Sequence, residues 1–223
     1  MKTGSTAIRN AKALKMAAAY RRTLLFETHT HAEAQQSYEG WLKGEQRFAS
    51  LKPMQDYIAH AIFRWANEQK LLLQVHTGYQ EGNDGYFPDA DPSHLIRVIL
   101  QYPDIRFDLF HMGFPYQSKI GAMGKKFPNV YLNLSWMHIL SPIVTQNTLH
   151  EWIQQVPLNK IFAFGGDCLF YDGVVGHLEL AKRCVANVLT AKVQEGFWVW
   201  KEAEKAAQML FYLNPKKCYQ MEE

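Results

Sequence analysis

Three residues of types that bind metals or move protons lie at the ends of short apolar runs in this sequence: His76, His111 and Asp167. Imidazole nitrogens and carboxylate oxygens are ligands of divalent cations such as zinc, and a catalytic site leaves one position open for water. The residue types therefore predict a metal-dependent site with His76 and Asp167 as metal ligands. His111 would polarise a substrate carbonyl or transfer a proton.

Each of these residues also has a structural interpretation. A histidine at the end of a strand commonly packs against its neighbours or forms a hydrogen bond. The segment Gly165-Gly166-Asp167 would equally form a tight turn, with Asp167 capping the next helix. The shared-site hypothesis depends on consecutive runs all ending in polar residues, including Trp136-Met137-His138 after the third run.

The elements that must position these residues follow one repeated order. Each apolar run predicts a buried strand, followed by a loop and a helix. The predicted strands are 71–76, 105–111, 129–136 and 160–167, and the helices are 91–102, 117–126, 141–155, 174–192 and 197–213. This order indicates parallel βα units, whose functional groups lie on the loops at the carboxyl ends of the strands.

The pattern before residue 70 is weaker. Segments 32–42 and 53–67 are predicted helices, the second because its apolar residues share one face. Segment 10–20, rich in Ala, Leu, Lys and Met, is also predicted as a helix from propensity. No repeat or linker divides the chain, so we expect one domain over residues 1–223.

Composition excludes several classes of protein. The 24 Lys and Arg against 21 Asp and Glu leave a net charge of +3 without a basic block, which argues against nucleic-acid binding. No apolar run approaches the roughly 20 residues that cross a bilayer, and the first residues lead into no apolar signal core. The 3 cysteines lie in no CxxC motif, so we expect a cytoplasmic protein.

Several short sequence motifs point to a family: Gln74-Val-His-Thr-Gly78, Phe110-His-Met-Gly113, Asn129-Val-Tyr-Leu-Asn-Leu-Ser-Trp136 and Phe164-Gly-Gly-Asp167. Together they resemble the C-terminal half of the amidohydrolase-2 family of metal-dependent hydrolases and decarboxylases. The segment from Lys15 to Leu24 looks like that family's fourth strand, which conflicts with the helix predicted from propensity. The resemblance implies an α/β fold, a TIM-like (β/α) barrel that is incomplete, with the equivalents of strands four to eight and an extra C-terminal helix.

The resemblance also implies roles for individual residues. His76 would be the fifth-strand metal ligand, and His111 would contact the substrate or a metal-bound water. Asp167 would bind the metal and shuttle a proton. Candidate substrate contacts, a weaker transfer, are Tyr20, Arg21, Trp136 and His138. The implied cofactor is a divalent metal, with zinc preferred over manganese.

One departure from the family concerns its first strand, which carries a His-x-His pair of metal ligands. His29-Thr30-His31 has that spacing, and alternate residues of a strand point to one face. It lies after the fourth-strand motif, however, where an intact barrel has no first strand. Either the pair completes a metal site in a permuted arrangement, or it is a polar turn that leads into the helix from Ala32.

Two classes of function follow from these observations. The first is a metal-dependent hydrolase of small amides, esters or lactones, with a carbon–carbon lyase (decarboxylase) as the related option. The second is a non-catalytic remnant of the barrel. An open barrel exposes sheet edges and apolar surface, so we expect a homo-oligomer or a partner chain to cover them.

Overall fold

A parallel β-sheet organises the chain, described for residues 11–44 and 51–221 in a computed structural model. Its five strands are paired in sequence order, each hydrogen-bonded in parallel to the next. They are β1 (Ala13–Met16), β2 (Leu72–Val75), β3 (Arg106–Leu109), β4 (Val130–Asn133) and β5 (Ile161–Phe162). The barrel is not closed, because β1 and β5 are the outer strands of this sheet. The predicted α/β, incomplete-barrel fold is therefore confirmed.

Helices connect the strands, and most of them cover one face of the sheet. They are α1 (His31–Leu42), α2 (Lys52–Glu68), α3 (Ile96–Gln101), α4 (Gln117–Lys126), α5 (Met137–Leu140), α6 (Pro142–Gln155), α7 (Tyr171–Gln194), α8 (Trp200–Gln208) and α9 (Asn214–Cys218). Local sequence explains where several begin. The Ser141 side chain accepts a hydrogen bond from the Val144 backbone at the start of α6, and Pro142 suits its first turn. Within the described residues, no helix is long and apolar enough to cross a membrane.

The two faces of the sheet differ because successive side chains along a strand point to opposite sides. The face that packs against the helices is apolar, and Leu73, Phe107 and Leu109 are almost fully buried in the main core. Burying each such side chain stabilises the fold by roughly 1.5–3 kcal/mol. The opposite face is polar: Asn133 donates a hydrogen bond to Asp108 Oδ2 over 3.1 Å.

Residues after α8 cover the lower part of this polar face. A π-helical turn (Met209–Leu213) joins α8 to α9, so the helix predicted over 197–213 begins later, at Trp200, and the helical chain continues past 213 to Cys218. Proline is tolerated there because it lies in the first turn of α9. Tyr219 donates to Asp108 Oδ2 over 2.5 Å and accepts from Gln74 over 2.6 Å. Burial raises the pKa of Asp108 to about 7.

The helix predicted from propensity for segment 10–20 is also wrong. Residues Ala13–Met16 form β1, and only Ala18–Tyr20 are helical, as a short 3-10 turn; residue 10 lies outside the described residues. Pairing of β1 with β2 outweighs the helix propensity of alanine and leucine, which is worth only tenths of a kcal/mol per residue. The fourth-strand resemblance therefore describes this segment correctly.

Candidate metal centre

Three side chains meet at the carboxyl ends of the strands. His76 follows β2, His111 follows β3, and Asp167 follows the loop after β5. His76 Nδ1 lies 3.0 Å from His111 Nε2, and His111 Nε2 lies 3.4 Å from Asp167 Oδ2. We call these three residues the strand-end centre. The structure thus brings together the residues that the sequence singled out, while their chemical roles stay predictions.

The outer nitrogens of the two imidazoles fix where their protons are. His76 Nε2 lies 2.8 Å from the Tyr79 carbonyl oxygen, and His111 Nδ1 lies 2.8 Å from the Ser135 carbonyl oxygen. A carbonyl oxygen only accepts, so each outer nitrogen must donate its hydrogen. In a neutral imidazole the other nitrogen then carries a lone pair. Two lone pairs therefore face each other across 3.0 Å.

The environment disfavours a proton that would relieve this contact. Burial, with the nearby His111 and Lys15 charges, lowers the pKa of His76 to about 3, although the Tyr79 carbonyl opposes the shift. Burial also lowers the pKa of His111, against the opposing effects of the Ser135 carbonyl and Asp167. Both rings are consequently neutral near pH 7, which is the form that binds metals.

A divalent cation fits the two donor pairs that include His111. Neutral imidazole nitrogens and a carboxylate oxygen are zinc ligands at about 2.0–2.2 Å, which places neighbouring ligands of a tetrahedral site about 3.3 Å apart. The separations of 3.0 and 3.4 Å match that spacing for the two pairs that include His111. The third pair, His76 and Asp167, is not within 4.8 Å, so one of these side chains would have to move for all three to bind one cation. A cation between the two facing lone pairs would replace a repulsive contact with two coordinate bonds.

Backbone conformation is unusual at the same strand ends. His111, Trp136 and Asp167 have φ values of 63°, 65° and 43°, in the left-handed region that residues other than glycine rarely adopt. Such positions cost about 1–3 kcal/mol each and tend to cluster at functional sites. Gly78 has a φ of 74°, and a Cβ there would lie 2.2 Å from the Phe114 carbonyl oxygen, so only glycine fits.

A cavity of about 180 Å³ adjoins the strand-end centre. Its remaining lining residues are Tyr20, Tyr79, Glu81, Trp136, Leu140 and Leu169. The Tyr20 and His76 ring centroids are 4.4 Å apart. Two predicted substrate contacts, Tyr20 and Trp136, therefore lie where a small molecule would meet the centre.

The sequence matches a protein-family model over most of its length. The model described as Amidohydrolase matches residues 13–219. The chain belongs to the amidohydrolase family. This family is metal-dependent, and the resemblance seen in the sequence motifs is confirmed.

Individual relatives of this amidohydrolase chain are distant and longer. It is 28% identical over 182 residues to protein fluG of Emericella nidulans, which covers 77% of this chain and 20% of fluG. Among solved structures, a Lactobacillus casei protein described as a metal-dependent hydrolase has a TM-score of 0.80, 22% identity and coverage of 96% of this chain and 56% of its own. Glucuronate isomerase of Caulobacter crescentus has a TM-score of 0.72, 17% identity and coverage of 91% and 46%. The chain thus spans about half the length of these structures, and the likeness to them shows the fold.

Two predicted substrate contacts of the amidohydrolase chain lie away from the cavity. His138 is fully buried in α5, and its Nε2 lies 2.8 Å from the Ala163 carbonyl oxygen. Burial lowers the pKa of His138 to about 4. Arg21 is exposed after the turn Ala18–Tyr20 and is not among the lining residues. The short helix after Trp136 turns His138 into the core, so its predicted substrate contact is corrected.

The histidine pair near residue 30 does not join the strand-end centre. His31 is the first residue of α1, and its ring meets the Tyr57 ring edge-on, 5.8 Å between centroids. Thr30 caps this helix in a reciprocal capping box with Glu33. The interpretation as a polar turn leading into a helix is therefore confirmed.

His29 belongs to a different group of donors, Glu27, His29 and Asp56, which we call the loop cluster. Among the residues that the structure describes, it is the one set of three such donors with every pair within 4.8 Å. Cations already compensate it: Lys52 Nζ lies 2.7 Å from Glu27 and 2.6 Å from Asp56, and Arg22 lies 2.5 Å from Asp56. A metal would have to displace these side chains.

The interpretation of Asp167 as a helix cap is wrong. Helix α7 begins at Tyr171 with Phe170 in the capping position, so Asp167 is free to face His111. Sequence reasoning missed the Tyr79 and Ser135 carbonyls that orient the imidazoles, because backbone groups leave no signal in residue types. It also missed the position of Lys15, because segment 10–20 was predicted as helix.

Proposed function

We propose that this chain carries the metal-binding and proton-transfer residues of a metal-dependent hydrolase that acts on a small carbonyl substrate, an amide, ester or lactone. The observation that supports this most is the pair of imidazole lone pairs facing each other at 3.0 Å beside the Asp167 carboxylate. Family membership supports it from the sequence side.

Three residues would hold the metal. His76 and His111 offer neutral nitrogens, and Asp167 offers an oxygen, a donor set that suits zinc and also manganese. When bound, a divalent cation polarises a carbonyl and lowers the pKa of a coordinated water to about 7. The backbone carbonyls of Tyr79 and Ser135 hold the two rings in the orientation that binding needs.

Asp167 is the proposed proton carrier. Its side chain is 43% exposed and lines the cavity, so its carboxylate can meet a substrate. It would accept a proton from the attacking water and return that proton to the leaving group. His111 Nε2 lies 3.4 Å from this carboxylate, so a metal bound to both would keep the carboxylate beside the reacting carbonyl. Tyr20 and Trp136 would pack against the substrate.

Metal analysis of the purified chain tests the proposal. We expect about one zinc or manganese per chain after dialysis, lost in His76→Ala. A stable protein that contains no metal, and that His76→Ala leaves unchanged, would support the non-catalytic remnant instead. Screening for amide or lactone cleavage against release of carbon dioxide separates the hydrolase from the lyase.

Asp167→Asn tests the proton-transfer role. We expect turnover to fall by about 10²–10⁴-fold, the usual contribution of a general acid–base group. Far-UV circular dichroism should remain that of the wild type, since the side chain is partly exposed. Retained turnover would contradict the role.

Coverage of the open sheet by a second copy or a partner chain stays a prediction, which sedimentation velocity would test.

A further inference from the structure

The backbone that leads from β5 to Asp167 is irregular. β5 ends at Phe162, and residues 163–168 form neither a strand nor a helix. Asp167 has a φ of 43°, and Gly165 and Gly166, which precede it, have no side chain that could pack against a neighbour. A segment of this kind keeps one conformation only when its surroundings hold it there. The contacts of its backbone carbonyls therefore determine where Asp167 lies.

The Asp167 carboxylate is not held by hydrogen bonds of its own. Within the described residues no group donates a hydrogen bond to it, and the one ionisable partner within 4.0 Å is His111 Nε2, at 3.4 Å. The side chain is also 43% exposed, so packing does not fix it. The place of the carboxylate consequently depends on the backbone that carries it.

Side chains hold two carbonyl oxygens of this segment. The Ser135 hydroxyl donates to the Gly165 carbonyl over 3.1 Å. His177 Nδ1 lies 3.2 Å from the Gly166 carbonyl oxygen, which also accepts from the Cys168 thiol over 2.9 Å. The thiol is a weak donor and belongs to the same segment, so it would move with the loop. His177 is therefore the side chain that ties Gly166 to another element of the fold.

His177 is itself fixed by its surroundings. It lies in the second turn of α7 and is buried. Its ring contacts the Phe164 and His138 rings, with centroids 5.0 and 5.7 Å away. A carbonyl oxygen only accepts, so His177 Nδ1 carries the hydrogen. A buried ring on a long helix thus presents a fixed donor to the Gly166 carbonyl.

One planar peptide group links this contact to Asp167. The Gly166 carbonyl and the Asp167 backbone nitrogen belong to the same peptide unit, whose six atoms lie close to one plane. Fixing the carbonyl oxygen therefore also fixes where the Asp167 Cα lies. We propose that His177 is a positioning residue, which keeps Asp167 within reach of His111 and of a bound metal by donating to the Gly166 carbonyl. The role toward a metal rests on the proposed function.

Two substitutions of His177 that share one shape form the test pair. The amide nitrogen of His177→Asn is bonded to Cγ, as Nδ1 is in histidine, so it can donate to the same carbonyl. His177→Leu has a similar branched shape and no donor. Leucine has the higher helix propensity and suits a buried position better, so a purely structural role would favour leucine. The proposed role favours asparagine.

Nitrogen-15 relaxation NMR of the chelated full chain measures the first effect. We expect an order parameter of about 0.85 for the Asp167 amide in the wild type and in His177→Asn, and about 0.6 in His177→Leu. Equal order parameters in His177→Leu and the wild type would overturn the proposal, whether or not the chain binds a metal. His177→Met is a second variant without a donor, and melting temperatures check that each variant folds.

Zinc affinity, measured by competition with a chromophoric chelator, gives the second effect. His177→Leu should weaken zinc binding about 10-fold, as for other residues that orient a metal ligand, and His177→Asn should stay within about 3-fold of the wild type. In an Asp167→Asn background, His177→Leu should have no further effect, because a residue that acts through Asp167 has no carboxylate left to position. An equal loss in both backgrounds would indicate a structural role and overturn the proposal.

His60→Leu is the matched control. His60 is also a buried histidine on a helix, and its Nδ1 lies 2.8 Å from the Tyr102 hydroxyl. Its ring contacts are Phe63 and Tyr102, which lie outside the strand-end centre. The control should leave both the Asp167 order parameter and the zinc affinity unchanged. A loss as large as that in His177→Leu would contradict a specific role for His177.

The two measurements separate this proposal from the proposed function. A wild-type chain that binds no zinc would contradict the metal-dependent hydrolase, and the order parameters would still decide the role of His177. Zinc binding that His177→Leu leaves unchanged would overturn the positioning role and leave the hydrolase standing.

Discussion

The strand-end centre and the loop cluster contain similar donors in opposite electrostatic settings. The loop cluster has the tighter geometry, with all three donors mutually within 4.8 Å. Its carboxylates, however, are already paired with Lys52 and Arg22. The strand-end centre holds two neutral imidazoles whose lone pairs face each other, and no cationic side chain among the described residues pairs with them.

This difference teaches that donor types and distances do not by themselves make a metal site. A buried carboxylate that a lysine and an arginine compensate gains little from a metal, because the metal must first displace them. Two facing lone pairs without a proton between them repel each other, so a cation stabilises them without displacing another group. The loop cluster is therefore an ion-pair network, because its carboxylates already have cations. The strand-end centre is a candidate cation site, because its donors lack a positive charge between them.

The largest expected difference between the two regions is in metal affinity. His76→Ala should weaken zinc binding by more than about 100-fold. Removing a residue that only orients a metal ligand already costs up to about 100-fold in affinity, and removing the ligand itself should cost more. His29→Ala should leave zinc binding unchanged. Competition with a chromophoric chelator measures both. Loss of zinc in His29→Ala alone would reverse the assignment of the two regions.

Asp56→Asn should mainly affect stability. Asp56 is fully buried and pairs with Arg22 and Lys52, so neutralising it leaves Arg22 without a carboxylate and Lys52 with Glu27 alone, and should cost about 3 kcal/mol. Urea unfolding measures the change. Glu179→Gln is the control: it removes an exposed pair with Lys182 and should cost less than about 1 kcal/mol. Equal costs would contradict the network's role.

A buried histidine outside both regions tests how burial of an imidazole changes the pH dependence of stability. The pKa of His138 is about 4 in the fold and about 6.5 when unfolded, so the unfolded chain binds more protons between these values. The contribution of His138 to the free energy of unfolding is therefore complete above pH 6.5. It falls as the pH drops towards 4, by about 2 kcal/mol between pH 7 and 5.

His138→Gln should remove that part of the acid sensitivity, as measured by urea unfolding at several pH values. His177, whose pKa burial also lowers, adds to the wild-type slope and remains in the variant as an internal reference. An unchanged slope in His138→Gln would show that another group carries the effect.

The smallest effect is expected for His31, next to the loop cluster. His31→Ala removes an edge-on contact with Tyr57 at the start of α1 and should change stability by less than about 1 kcal/mol. Zinc binding should not change. A drop in zinc affinity would revive the His-x-His interpretation of segment 29–31.

Much of the fold was predictable because its signals are local. Apolar runs, the Ser141 cap and the Pro142 start of α6 all depend on residues close in the chain. The error in segment 10–20 arose where a distant partner decided the structure: β1 forms by pairing with β2, about 60 residues further on. His138 was misplaced because a turn at Trp136 redirects it into the core.

The sequence by itself determined that His76, His111 and Asp167 follow strands of one parallel sheet, because strand periodicity and polar termini are written in adjacent residues. Only the tertiary structure decided which imidazole nitrogens carry hydrogen and which carboxylates already have cations. Those properties depend on through-space partners, such as the Ser135 carbonyl for His111 and Lys52 for Asp56. Electrostatic energy depends on distance in space, so separation along the chain does not reveal it.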